Sequence, residues 1–283
     1  CEQYMRKYPV VSISLKDVEG MDFQMAYDML GSVISEEARR FYFLMDSDRL
    51  TQTDRKNLNH LIEEDFEKAI NLHRSLRLFT ELLSKHYGNP VIVLIDEYDV
   101  PLDKAYQKGY YPQMVSLIRS LFSQVLKTNK NLYFAVITGC LRIAKESIFT
   151  GLNNYKVRTI SDILFSEHFG FTENEVKKLL QYYDLEEKFE ILKEWYDGYH
   201  FGQADIYCPW DVINQCDKFL ETKDAPMEAH WENSSSNSII QDIIEDATET
   251  TKAEIEALIS GESVEKMLIS ELTYAGVDNK DRN

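Results

Sequence analysis

Covalent and metal staples are scarce in this sequence of 283 residues. It has four cysteines, Cys1, Cys140, Cys208 and Cys216, and no two of them have CxxC spacing. That pattern argues against a disulfide framework or a zinc knuckle, so reduced thiols are expected. Cys208 and Cys216 lie near His200 in sequence, but the spacing fits no common zinc pattern. No apolar run approaches membrane-spanning length and no signal peptide is visible. Cations are also few, 31 Lys and Arg against 48 Asp and Glu, for a net charge of −17. Affinity for nucleic acid comes largely from Lys and Arg on phosphates, so direct nucleic-acid binding is not expected. The acidity favours solubility, and the expected location is cytoplasmic with no membrane contact.

What is present is ordinary for a globular protein. Hydrophobic residues make up 44% and charged residues 28%, enough to bury a core, and the length suits one large or two modest domains. The sequence opens on Cys1 rather than Met, so a fragment or a shortened protein is expected.

The first half alternates strand and helix patterns. "YPVVSISLKD" (Tyr8–Asp17) reads as a strand and "MDFQMAYDMLGSVISEEARRF" as an amphipathic helix, with a polar break at "DSDRLTQTD". Helical spacing then runs from about Leu58 to Tyr87 and stops at Gly88-Asn89-Pro90. "VIVLIDEYDVP" (Val91–Pro101) follows as a nearly continuous apolar run, which suits a strand covered on both faces. After "PLDKAYQKGYYP", read as a loop, come a helix near Gln113–Lys127 and a second apolar strand, Leu132–Gly139. Strand, helix, strand is a parallel βαβ unit. Asp96-Glu97 and Thr138 therefore fall at one edge of the sheet, the carboxyl edge where open α/β sheets bind ligands.

From about Ser166 the pattern is helical with little strand. Thr172 and Glu175 form a capping box, "LEEKFEILKEWYDGYHFG" reads as a helix broken at Gly198, and Pro209-Trp210-Asp211 starts another. "TKAEIEALISG" opens with Thr251 and Glu254 as a further box. The expected division is an α/β core over 1–165 and a helical region over 166–283.

Two adjacent carboxylates at a buried strand end need compensation by a cation or hydrogen bonds. An apolar strand ending in Asp-Glu resembles the Walker B element of P-loop ATPases. There the Asp holds Mg²⁺ through its waters and the Glu orients the water attacking the γ-phosphate. Thr138, one crossover away, stands where a residue could help position that water. Arg142 and Lys145 follow it and could face phosphates or a neighbouring subunit; a solvated helix face is the plain alternative.

Five blocks occur in order: "VIVLIDEYDVPL", "TGCLRIAKESIFTGLNN", "FGFTENEV", "WYDGYHFG" and "IYCPWDVIN". Together they resemble the AAA-ATPase-like family of bacterial and archaeal proteins, often paired with a C-terminal nuclease-like domain. "DEYD" alone is weakly specific; the five together are highly specific. The resemblance implies a P-loop NTPase-like parallel sheet followed by an α-helical, winged-helix-like region, with Mg-ATP as ligand of the intact parent. It implies Asp96 as the magnesium-side acid, Glu97 as catalytic base and Thr138 as strand-end sensor. Arg142 matches a motif position. Trp210 in the "PWD" block reads as packing, and Tyr110-Tyr111 and Trp195-Tyr196 as core aromatics.

One departure is large. A phosphate loop needs GxxxxGK[ST], so that backbone N–H groups and a Lys can cradle phosphates. The sequence has only 11 glycines, and none is followed by Lys. In the family this loop precedes a "YPVVSISL"-like strand. The expectation is an incomplete core, missing its first strand and phosphate loop and, beyond "ISELTYAG", its nuclease-like domain, and binding no cofactor tightly by itself. Homo-oligomerisation stays open. Two alternatives stand beside it. One is a non-catalytic regulatory or interaction module with an ATPase-like fold. The other is a metal-dependent phosphodiesterase using Asp96, Glu97 and Asp99, although no Glu-x-Lys spacing follows in a later strand.

Overall fold

The computed structural model describes residues 4–66, 71–140, 148–149, 155–231 and 247–265. They fall into two compact units, with the second beginning at Tyr155. It is a mixed α/β protein. None of its described helices is long and apolar enough to cross a membrane.

The first unit is built on a three-stranded parallel sheet in the order β1 (Val10–Ser14), β2 (Val91–Asp96), β3 (Leu132–Ile137). Val11 pairs with Val93 and Val93 with Ala135; Ile13 pairs with Ile95 and Ile95 with Ile137. Side chains alternate faces along a strand. Val11, Ile13, Val91, Val93 and Ile95 are therefore buried together, in one core with helices α1 (Phe23–Arg39), α2 (Gln52–Ile62), α3 (Leu72–Tyr87), α4 (Val100–Lys108) and α5 (Tyr111–Leu126). The opposite face is less covered. Ile92 and Leu94 are half-buried, and Phe134 and Val136 are 57% and 40% exposed. The apolar run of β2 thus packs fully on one face, not on both.

The two edges of the sheet differ. Ser12 N donates to Glu37 Oε1 at 2.9 Å, which occupies the outer edge of β1. Glu37 is itself buried and paired with Arg40 at 2.6 Å. Among the described residues no strand pairs the outer edge of β3.

Two helix boundaries differ from the sequence reading. The apolar spacing from Leu58 to Tyr87 belongs to two helices. Glu64 takes a left-handed φ of 61°, and Asn71 caps α3 by accepting from His73 N at 2.9 Å. The spacing survives the break because both helices face the same core. The stretch read as the loop "PLDKAYQKGYYP" contains α4, with Pro101 in its first turn and Gly109 at φ 83° as its left-handed cap.

The second unit is not only helical. It contains β4 (Phe171–Thr172), α6 (Glu173–Tyr182), α7 (Phe189–Tyr196), β5 (Asp197–Phe201), β6 (Ala204–Tyr207), α8 (Pro209–Glu221) and α9 (Glu249–Ile259). The strands form an antiparallel sheet in the order β4-β6-β5. Here Gly198 lies inside β5, and α7 has already ended at Tyr196. The hairpin turns at Gly202, with φ 60° and its N–H donating to Ile160 O at 2.8 Å. Leu180, Leu192, Tyr207, Val212 and Phe219 are core residues of this unit. The Thr172–Glu175 capping box and the Pro209 start form as read. The cap of α9 is Thr248, not Thr251, and it accepts from Thr251 N.

Candidate functional site

Parallel strands deliver their last residues to one edge, and this edge collects the acidic pair. Ser14 pairs with Asp96 in register, and Leu15 N donates to Asp96 O at 2.9 Å. From the other side, Thr138 N donates to Ile95 O at 2.9 Å, and Tyr98 N donates to Thr138 O at 3.1 Å. These bonds continue the ladder past the last strand residue and fix the turn that follows β2.

Within that turn, Thr138 Oγ1 donates to Asp96 Oδ1, and Glu97 N donates to the same oxygen at 3.0 Å. Asp96 is exposed, and its Oδ2 takes no hydrogen bond among the described residues. The sequence-predicted trio Asp96, Glu97 and Thr138 is thus brought together at one edge.

The backbone at Glu97 is unusual. Its φ is +53°, in the left-handed region that an L side chain enters at a cost. Burial pushes the Glu97 carboxyl above its ordinary range, and the Asp96, Asp99 and Asp17 charges push it the same way. Lys16 opposes them. Lys16 and Asp17 were missed from the sequence, yet the signal was there. They follow β1, and a parallel strand ends at the same edge as its neighbours.

Asp99 behaves differently from the pair. It is buried, as is Tyr98. Gly139 passes directly over both. A Cβ at Gly139 would lie 2.8 Å from Tyr98 ring atoms and would collide with Asp99 Oδ1. Among the described residues, no three His, Cys, Asp or Glu side chains are grouped to hold a metal ion. Of the three carboxylates that the phosphodiesterase alternative would use, Asp96 is exposed and Asp99 is buried. Arg142 lies outside the described residues.

The aromatics divide. Tyr110 is buried and donates to Gly20 O at 2.9 Å, and Tyr196 is buried as expected. Trp195 and Trp210, read as packing residues, are each 51% exposed.

A family profile described as Predicted AAA-ATPase matches residues 1–149, the segment that holds this edge. The chain belongs to that family. A relative in Azotobacter chroococcum mcd 1, named as an uncharacterized protein in the vnfD 5' region, is 30% identical over 143 residues. The match covers 48% of this chain and 27% of that relative, so the chain spans well under two thirds of its length. No solved structure matches the chain.

Proposed function

We propose that the first unit supplies the carboxylate half of a Mg-ATP site of P-loop NTPase type. The observation that carries this reading is the contact between neighbouring parallel strands in which the Thr138 hydroxyl donates to Asp96 Oδ1. It places a strand-end hydroxyl, an acid and a second acid at the edge where open α/β sheets bind ligands. The donors are all oxygens, which suits a hard cation that keeps much of its water. Asp96 would hold magnesium through its waters, and the remaining ligands would come from phosphate oxygens and solvent. Glu97 would orient the attacking water, and its raised pKa moves it towards the range useful for a base. Thr138 would help hold that water. Arg142 keeps its assignment as a further cation, in this subunit or a neighbour.

The phosphate loop itself has to come from elsewhere, since no Gly-Lys dipeptide occurs in the sequence. The outer edge of β3 is where an added parallel strand carrying GxxxxGK[ST] would lie. The outer edge of β1 is occupied by Glu37. Intact parents would carry that strand, and a nuclease-like domain beyond this segment. In the second unit, the sequence β4–α6–α7–β5–β6 with sheet order β4-β6-β5 supports a winged-helix reading.

The missing Gly-Lys also favours a second reading, a non-catalytic interaction module that keeps the ATPase-like fold. Calorimetry of this chain with MgATP tests the first. Weak or undetectable binding is expected without the loop, and tight binding would overturn the half-site account. An in-frame GxxxxGK[ST] upstream of Cys1 in the source gene separates the two readings, and its absence would leave the interaction module.

A further inference from the structure

A helix pair followed by a β-hairpin commonly presents its second helix outward, and many such units set that helix against nucleic acid. Here the second helix is α7, and its outward chemistry is wrong for phosphate. Glu190 and Glu194 are exposed, four residues apart and on one side of the helix. The one cation on α7, Lys193, is spent on Glu173, with Nζ 3.0 Å from Oε2. Among the described residues neither Glu190 nor Glu194 has an ion-pair partner.

Beside the carboxylates runs an apolar strip. Ile191 and Trp195, also four apart, are 40% and 51% exposed. Tyr199 follows in β5, 51% exposed, with its ring 5.8 Å from that of Phe201. Leu192 and Tyr196, about 100° further round α7, are buried in the core of the unit, so the strip is not needed to hold the helix in place. Tryptophan and tyrosine flanked by charge, and exposed in a free subunit, form the composition of a protein-binding hot spot.

We propose that the outer face of α7 and the start of β5 dock a cationic amphipathic segment of another protein. Its apolar side would sit on Ile191, Trp195 and Tyr199, and its Lys or Arg residues would meet Glu190 and Glu194. Charge selects this occupant. An acidic partner or a nucleic acid would bring like charge to these carboxylates in a chain of net charge −17. The inference rests on the surface of α7 and is independent of the Mg-ATP reading.

The test uses the full chain and three fluorescently labelled probes. These are an amphipathic helical peptide of Leu and Lys, its Leu and Glu counterpart, and a short DNA duplex, each titrated by anisotropy. Binding of the Lys peptide is expected, weakening with salt, and no binding of the other two. Trp195→Ala should weaken the Lys peptide by about tenfold, the scale of losing one anchor. Glu190→Gln with Glu194→Gln, which leaves the packing of α7 intact, should weaken it and flatten its salt dependence. Met21→Ala, on an exposed residue of the first unit, should change nothing. Absent binding of the Lys peptide would overturn the proposal. So would binding that both α7 variants leave unchanged, or duplex binding that depends on Trp195.

Discussion

Glu97 carries two separable costs, and substitutions can divide them. The first is conformational. At φ +53° an L residue sits in a left-handed well that costs roughly 1–2 kcal/mol, while Gly enters it freely. Gly also gains freedom in the unfolded chain, which returns about 0.4–1 kcal/mol of that advantage. Glu97→Gly should therefore stabilise the first unit relative to Glu97→Ala by roughly 1 kcal/mol, or about 2–4 °C in midpoint for a unit of this size. The second cost is electrostatic. The folded pKa of Glu97 is raised, chiefly by burial and then by Asp96. A raised carboxyl pKa means the folded state holds its proton more tightly than the unfolded state does. No cost arises below the unfolded carboxyl range; it grows as pH rises through the folded pKa and then stays constant. Glu97→Gln removes this cost and keeps the backbone strain. Its midpoint should match that of the parent chain at low pH and exceed it at neutral pH. Thermal unfolding followed by circular dichroism between pH 3 and 8 reads both effects. A Gln variant that shows no pH-dependent gain, or a Gly variant no more stable than Ala, would refute this account of the turn.

Other substitutions probe the frame around the site. Gly139→Ala should destabilise the first unit by about 1–3 kcal/mol, since its Cβ would enter the space of Tyr98 and Asp99; urea unfolding would show it as a lower midpoint. Glu37→Ala leaves Ser12 N without its part-buried acceptor and should cost about 0.5–1.5 kcal/mol, while Glu37→Gln keeps an acceptor and should cost less. Asn71→Ala removes the cap that starts α3 and should cost about 1 kcal/mol in the same assay. A null effect there would count against Asn71 as the cap.

The parallel sheet and the meeting of Asp96 with Thr138 were legible because they follow from chain order. Two apolar strands joined by a helical crossover in one sheet are expected to be parallel, and parallel strands end at one edge. The break between α2 and α3 was hidden because Leu58, Leu61, Leu72, Leu76 and Phe79 keep one helical register across it and share one core. The helix over "PLDKAYQK" was hidden by Pro101, which reads as a loop residue yet suits the first turn of a helix. Strand β5 overlaps the stretch read as a helix broken at Gly198, and β6 follows it. The turn at Gly202 and the alternation of Tyr199 with Phe201 were the signal of this hairpin. The exposure of Trp195 was not legible at all. Sequence shows that a Trp neighbours a buried Tyr196, but not which side of α7 the fold leaves open. The left-handed Glu97 was equally hidden, because nothing in "DEYD" marks a strained backbone.

The central claim is that Asp96, Glu97 and Thr138 form the carboxylate half of a Mg-ATP site. Steady-state ATP hydrolysis tests it most directly, in a parent protein that joins this segment to a GxxxxGK[ST] strand. The account predicts measurable turnover and a fall of about 100-fold or more on Glu97→Gln, the scale of losing a general base, with ATP still bound. Turnover unchanged by Glu97→Gln would contradict it.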